Sequence, residues 1–208
     1  MRNILSVWLA LGLGACVGGY DLAHPNVLSN VQRHADWQGF QYCGGWGCSD
    51  PHPSLFTPLE WLRVEAIMEP PTAIPAAERE QIAAAIGLME SVIGRKTGYH
   101  RDRAGTAAGL FQLGQLDCYS EATNTSTFLH LLHNAGLLRH HTPADPIMRG
   151  QATSRSWRQT HATATMVENS SGTLFAMDSW FFDSGHKAVY VEAEIWGDAW
   201  APEDGATF

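Results

Sequence analysis

Residues 161–178 read HATATMVENSSGTLFAMD. Thr and Met recur on both sides of the turn signal NSSG at 169–172, with Val167 before it and Phe175 after it, so the segment reads as an antiparallel hairpin. A loop centred on Asn169–Ser170 sets His161 directly opposite Asp178. Their Cβ atoms would then lie roughly 4.5–5.5 Å apart on one face, which suits an imidazole–carboxylate hydrogen bond. A loop of odd length would slip the register by one and turn them to opposite faces. A second turn, DSG at 183–185, leads into KAVYVEAEIW at 187–196, which reads as a further strand.

Upstream the period changes. In TPLEWLRVEAIM (57–68), Thr57 is placed to cap a helix and Pro58 to occupy its first position. IPAAEREQIAAAIGLMESVIGRKTG (74–98) spaces Ile82, Ile86, Met89 and Ile93 along one helical face, with Arg95 and Lys96 late and Gly98 as a stop. Glu90 sits at the edge of that face and reads as a solvated or structural carboxylate. After a loop-like stretch, RDRAGTAAGLFQLG (101–114), Asp117 can cap a helix from Cys118 to Asn134, ended by Ala135-Gly136. Helices followed by antiparallel strands define an α+β domain, with N-terminal helices and the Cys118 helix packed on a C-terminal antiparallel sheet.

The chain has 208 residues and a formal charge of −8, with no run of Lys or Arg. A nucleic-acid surface needs clustered positive charge to replace phosphate counterions, so nucleic acid is excluded as a partner. Residues 1–16, MRNILSVWLALGLGAC, have a basic start, a short apolar run and small residues before Cys16. They read as an export signal, and Leu13-Gly14-Ala15-Cys16 resembles a bacterial lipobox in which Cys16 takes the lipid, an ordinary signal peptide being the alternative. The expected localisation is the cell envelope, lipid-anchored on the periplasmic or extracellular side of the membrane. Residues 17–58, rich in Gly, Pro, Asn, His and aromatics without a period, read as a tether and an irregular arm. The domain then occupies 59–208.

Export changes how the other cysteines read. Cys43 and Cys48 enclose Gly-Gly-Trp-Gly, a segment able to bring the two sulfurs together, and an oxidising compartment favours a disulfide between them. Cys118 is then left without a partner cysteine and reads as a reactive thiol. A thiol at a helix N-terminus meets unpaired backbone N–H groups and the positive end of the helix dipole, which favour thiolate. His161 can take its proton and return it to a leaving group, with Asp178 fixing the imidazole. The Cys118 N–H, with the side-chain amide of Gln115 or Gln112, can hold an oxyanion.

A cysteine opening a helix that ends LLHNAGLLRHH, then a strand beginning at His161, then LFAMDSW with Asp178, resembles the transglutaminase-like superfamily, a papain-related group of thiol enzymes. LDCYSEATNTSTFLHLL is similar to the nucleophile segment of bacterial transglutaminase-like cysteine proteinases of the periplasm. The resemblance covers roughly residues 105–200. It implies that fold, a Cys118–His161–Asp178 triad, and hydrolysis of amide bonds in protein or peptide substrates of the envelope through a thioester, with transfer to an amine as the variant outcome. Calcium-binding acids follow the cysteine in those relatives. Tyr119 and Ser120 stand in their place here, and no cofactor is implied.

Other readings attach to the same residues. A non-catalytic envelope-binding module would keep the fold and bury an inert Cys118. Asp183 in WFFDSG is the substitute for Asp178, though it reads first as a turn residue. His130 and His133 have helical spacing and His140-His141 follow, yet no metalloenzyme motif joins them, and they read as solvated or helix-end residues. Trp157, Trp180 and Trp196 read as core, with a substrate-groove wall as the alternative.

Overall fold

The computed structural model describes residues 19–106, 112–150 and 160–205. Cys16 and Trp157 lie outside them. Among the described residues five α-helices and seven strands run in the order β1 (Tyr20–Leu22), α1 (Pro25–Asn30), β2 (Phe40–Gly44), β3 (Asp50–Ser54), α2 (Pro58–Met68), α3 (Pro75–Thr97), α4 (Cys118–Asn134), β4 (His141–Arg149), β5 (His161–Glu168), β6 (Leu174–Asp178), β7 (Val189–Glu192) and α5 (Ala193–Gly197). The N-terminal helices pack on a C-terminal antiparallel sheet of five strands, ordered β1-β4-β5-β6-β7, and α4 lies against β4 and β5. Among the described residues no helix is long and apolar enough to cross a membrane.

Local chemistry sets the helix ends. Thr57 and Glu60 form a reciprocal capping box, and Pro58 opens α2. α3 buries Ile82, Ile86, Met89 and Ile93 and stops at Gly98, whose φ of 92° suits a residue without Cβ. α4 is the central helix. Phe128, Leu129, Leu131 and Leu132 enter the core, while most of its polar first half is buried too, with Ser120, Thr123, Asn124 and Thr125 hydrogen-bonded. Asn124 is one of these: its amide accepts from Cys43 N at 2.7 Å and donates to Cys43 O at 2.9 Å.

Two expectations are corrected, and one strand was not read at all. The arm is not irregular: β1 extends the main sheet along β4, and β2 pairs with β3 in a hairpin. His141–Arg149 is a strand despite Pro143 and Pro146. β1 pairs only with Ile147–Arg149, and the register shifts between Ala144 and Ile147, so both prolines avoid a regular two-sided ladder. KAVYVEAEIW does not stay extended. After Glu192 it turns into α5, which buries Ala193 and Trp196 three residues apart on one side.

The β5–β6 hairpin forms, with Ala164 opposite Met177 and Val167 opposite Leu174. Its centre is therefore Ser170–Ser171, one position later than expected, and the register moves by two. Parity survives the shift. His161 and Asp178 keep a common face but sit diagonally, beyond the last paired residues, instead of directly opposite.

Candidate active site

His161 opens β5 and is fully buried, and Asp178 closes β6 at 3 % exposure. His161 Nε2 lies 2.7 Å from Asp178 Oδ2. The carboxylate also accepts from Trp196 Nε1 at 2.9 Å and from Trp180 N at 3.2 Å. Trp180, Phe181 and Trp196 surround the imidazole, with ring centroids at 4.7, 5.5 and 5.5 Å. A carboxylate with three donors, inside an aromatic shell, holds the imidazole in one orientation.

Cys118 is the first residue of α4, held there by Asp117: one carboxylate oxygen accepts from Ser120 N at 2.8 Å and the other from Gly47 N at 3.0 Å. The half-buried residue directs its sulfur at the Ala162 N–H, the residue after His161 and beyond the last β5–β6 pair. Ala162 and Ala164 pack on the helical side. Strand alternation therefore turns His161 to the other face, against Trp196. Thiol and imidazole approach the same piece of β5 from its two sides.

The expectation of a resting thiolate is not met. Burial, followed by the neighbouring Asp117 carboxylate, pushes the Cys118 thiol up to about 12, against the pull of the Ala162 N–H and its own N–H. The magnitudes explain why. A helix terminus contributes roughly 0.3–2 kcal/mol to a charge. A rise of about three pKa units amounts to about 4 kcal/mol, so desolvation wins.

Gln115 lies near the nucleophile, but its amide serves the backbone: Nε2 donates to Arg101 O at 2.8 Å and Oε1 accepts from Arg103 N at 3.1 Å. The oxyanion role expected of its side chain is not set up. Gln112 and Gln115 line a cleft of about 400 Å³ with Trp46, Asp50, Tyr99 and Asp117, so it ends one residue short of Cys118. Its other wall is the loop closed by the Cys43–Cys48 disulfide, which forms as expected. Asp183 is a loop anchor, accepting from Ala104 N at 3.0 Å and pairing with Arg103 at 2.9 Å.

The remaining histidines separate. His141 is buried, not solvated, with Nδ1 2.7 Å from Glu78, and His140 meets Thr72 O at 3.0 Å. His130 is half-buried, and burial with nearby Arg33 lowers it to about 4. Among the described residues no cluster of His, Cys, Asp and Glu is arranged to hold a metal ion.

Two features were not read from sequence. Arg149, buried at 3 %, pairs across the sheet with His161. Its Nη1 donates to Trp196 O and, at 2.8 Å, to Trp200 O. Glu90 on α3, Asp102 in the loop after it and Glu121 on α4 are buried carboxyls, and burial raises Glu90 to about 7 and lifts Asp102 and Glu121 as well. Of the two alternatives read for Glu90, solvated or structural, the structure shows the buried, structural one. An acid among Leu88, Met89 and Val92 was the available signal. Arg149 had none, since its burial depends on strand pairing.

Comparison of the chain with protein-family models, with curated proteins and with solved structures found no match.

Proposed function

We propose that the chain is an exported thiol hydrolase of transglutaminase-like fold that cleaves amide bonds of protein or peptide substrates in the cell envelope. The observation that carries this reading is the 2.7 Å His161–Asp178 bond on the strand whose next residue, Ala162, directs its N–H to the Cys118 sulfur. The Cys43–Cys48 disulfide and the signal-like residues 1–16 support export and lipid anchoring at Cys16. Because Asp178 engages Nε2, Nδ1 is the nitrogen that handles protons. In this reading the sulfur attacks the carbonyl carbon, and the thiol proton has to reach His161 around the start of β5, since thiol and imidazole flank that strand from its two faces. The C–N bond then breaks and the amine leaves with that proton. Water, deprotonated by His161, resolves the thioester.

A second reading, a non-catalytic envelope-binding module, is favoured by the burial of His161 and by the raised thiol. Acylation by p-nitrophenyl acetate separates the two. The hydrolase predicts a burst of p-nitrophenol stoichiometric with protein, lost in Cys118→Ser and slowed at least ~100-fold in His161→Ala. A burst that is absent, or indifferent to His161, rejects the hydrolase and leaves the binding module.

A further inference from the structure

The cleft that ends at Asp117 has walls from segments far apart in the chain. Trp46 and Asp50 belong to the β2–β3 hairpin that the disulfide closes, and Leu113 and Leu116 to the approach to α4. Trp46 stands 48 % exposed and Leu113 wholly exposed, so two large apolar side chains meet solvent at a concavity of about 400 Å³. Exposed apolar groups gathered at a concavity mark a place where a ligand's hydrocarbon is covered.

Asp50 is a placed carboxylate. Gly44, its partner across the hairpin, carries no Cβ, and one there would come within 2.5 Å of the Tyr99 ring. The ring therefore lies against the hairpin; its hydroxyl donates to Asp50 Oδ2 at 3.0 Å, and His52 Nε2 meets the same oxygen at 2.9 Å. Those bonds hold the carboxyl below its ordinary range, so it is ionised at neutral pH. Asp50 Oδ1 takes no hydrogen bond among the described residues, and the side chain is 60 % exposed. The other acid of the cleft, Asp117, has both oxygens committed, to Ser120 N and Gly47 N. Among the described residues no Lys or Arg lines this cleft. Positive charge lies across Leu113, where a second hollow of about 310 Å³ shares Asp50 and Tyr99 and adds His100 and Arg101. An open carboxylate oxygen beside an indole and an aliphatic wall, with no cation among them, complements an ammonium or guanidinium on an apolar stem.

We infer that this cleft binds a lysine or arginine side chain of the substrate polypeptide, its stem against Trp46 and Leu113 and its cation on Asp50 Oδ1. The cleft ends one residue before Cys118, and consecutive Cα atoms lie about 3.8 Å apart, so the bound residue falls within about two positions of the scissile bond. The inference deepens the hydrolase reading and rests on it only for that placement. Recognition of the cation needs no chemistry at Cys118.

The test is binding of capped, fluorescein-labelled pentapeptides to the Cys118→Ser chain, followed by anisotropy at pH 8 and low ionic strength, where exposed charges are least screened. The central residue, flanked by alanines, is lysine or norleucine, which keeps the stem without the ammonium. The lysine peptide is expected to bind at least ~5-fold tighter. Asp50→Asn, which keeps an acceptor for the Tyr99 hydroxyl, should cut that preference at least ~3-fold, and Trp46→Ala should weaken both peptides at least ~3-fold. Near-ultraviolet circular dichroism confirms each fold. Should the Trp46→Ala chain not fold, Trp46→Leu replaces it, keeping apolar bulk without the π face, so that lysine loses more than norleucine. Equal binding of the two peptides, or binding of neither up to ~1 mM, would overturn the inference. So would a lysine preference that Asp50→Asn leaves unchanged, because the cation would then answer to the overall charge of −8. The acylation burst uses a neutral ester and reads the hydrolase separately. No burst in the wild type, with the lysine preference intact, would reject the hydrolase and keep the cleft as a recognition site. A His161-dependent burst without the preference would do the reverse.

Discussion

Trp196 and His161 address the same oxygen: Trp196 Nε1 donates to Asp178 Oδ2 at 2.9 Å, and His161 Nε2 meets that atom at 2.7 Å. The indole N–H thus fixes the carboxylate that fixes the imidazole. Trp196→Phe keeps a ring in a fully buried position and removes the donor. A hydrogen bond to a charged group contributes about 1.5–3 kcal/mol, and urea denaturation should report a loss in that range. The acylation burst should slow further than the small change in folded fraction accounts for. An unchanged burst would mean that Asp178 holds His161 without the indole.

Stability should fall as pH rises from about 4.5 to about 7. Glu90 sits at 7 % exposure, and burial raises it from an ordinary 4.5 to about 7 despite hydrogen bonds from Ser179 and Gly185. Between these values the folded state holds a proton that the unfolded state has released, so stability is greatest below about pH 4.5 for this group and is lost towards pH 7. The shift corresponds to about 3 kcal/mol as an order of magnitude. Asp102 and Glu121 act in the same direction. Glu90→Gln, neutral at every pH, should gain about 3 kcal/mol relative to wild type between pH 4.5 and 8 in urea melts. Parallel pH curves for the two proteins would show that Glu90 is not a buried acid.

The helices were legible because their signals are local. Thr57, Pro58, Gly98 and Asp117 each act within one turn of chain, and the stripe of Ile82, Ile86, Met89 and Ile93 needs only the helical period. The His161–Asp178 pair was legible through parity, which withstood a register error of two residues. What failed was non-local. β4 was not read at all, because only its neighbours accommodate its prolines; Gln115 was drawn to the carbonyl of Arg101, and the ionisation of Cys118 depends on burial that dipole reasoning does not contain.

Asp117, Ser120 and Asn124 tie the disulfide loop to the nucleophile helix, and Asn124 makes the buried pair of bonds. Asn124 supplies both an acceptor and a donor to the Cys43 backbone, at 2.7 and 2.9 Å, in a buried setting. Asn124→Ala leaves an N–H and a carbonyl without partners, and each such group costs about 1–3 kcal/mol. Chemical denaturation should show a loss of about 2–5 kcal/mol with the disulfide still formed. A loss below ~1 kcal/mol would indicate that water replaces the amide.

Asp117 has two effects on Cys118 that one substitution separates. Its carboxylate caps α4 through Ser120 N and holds the disulfide loop through Gly47 N, while its charge helps push the thiol to about 12. Asn caps a helix about as well as Asp, so Asp117→Asn keeps a side-chain acceptor for Ser120 N and removes the charge. The sign is fixed: an adjacent anion opposes thiolate, and its removal favours it. Iodoacetamide labelling of Cys118 at pH 8 should accelerate in Asp117→Asn, by about tenfold for each unit of lowered pKa. The thiol should still titrate above an ordinary cysteine, because burial is the larger cause and is untouched. Slower labelling in a folded variant would mean that the loop bond to Gly47, which an amide oxygen can share only in part, governs the thiol more than charge does.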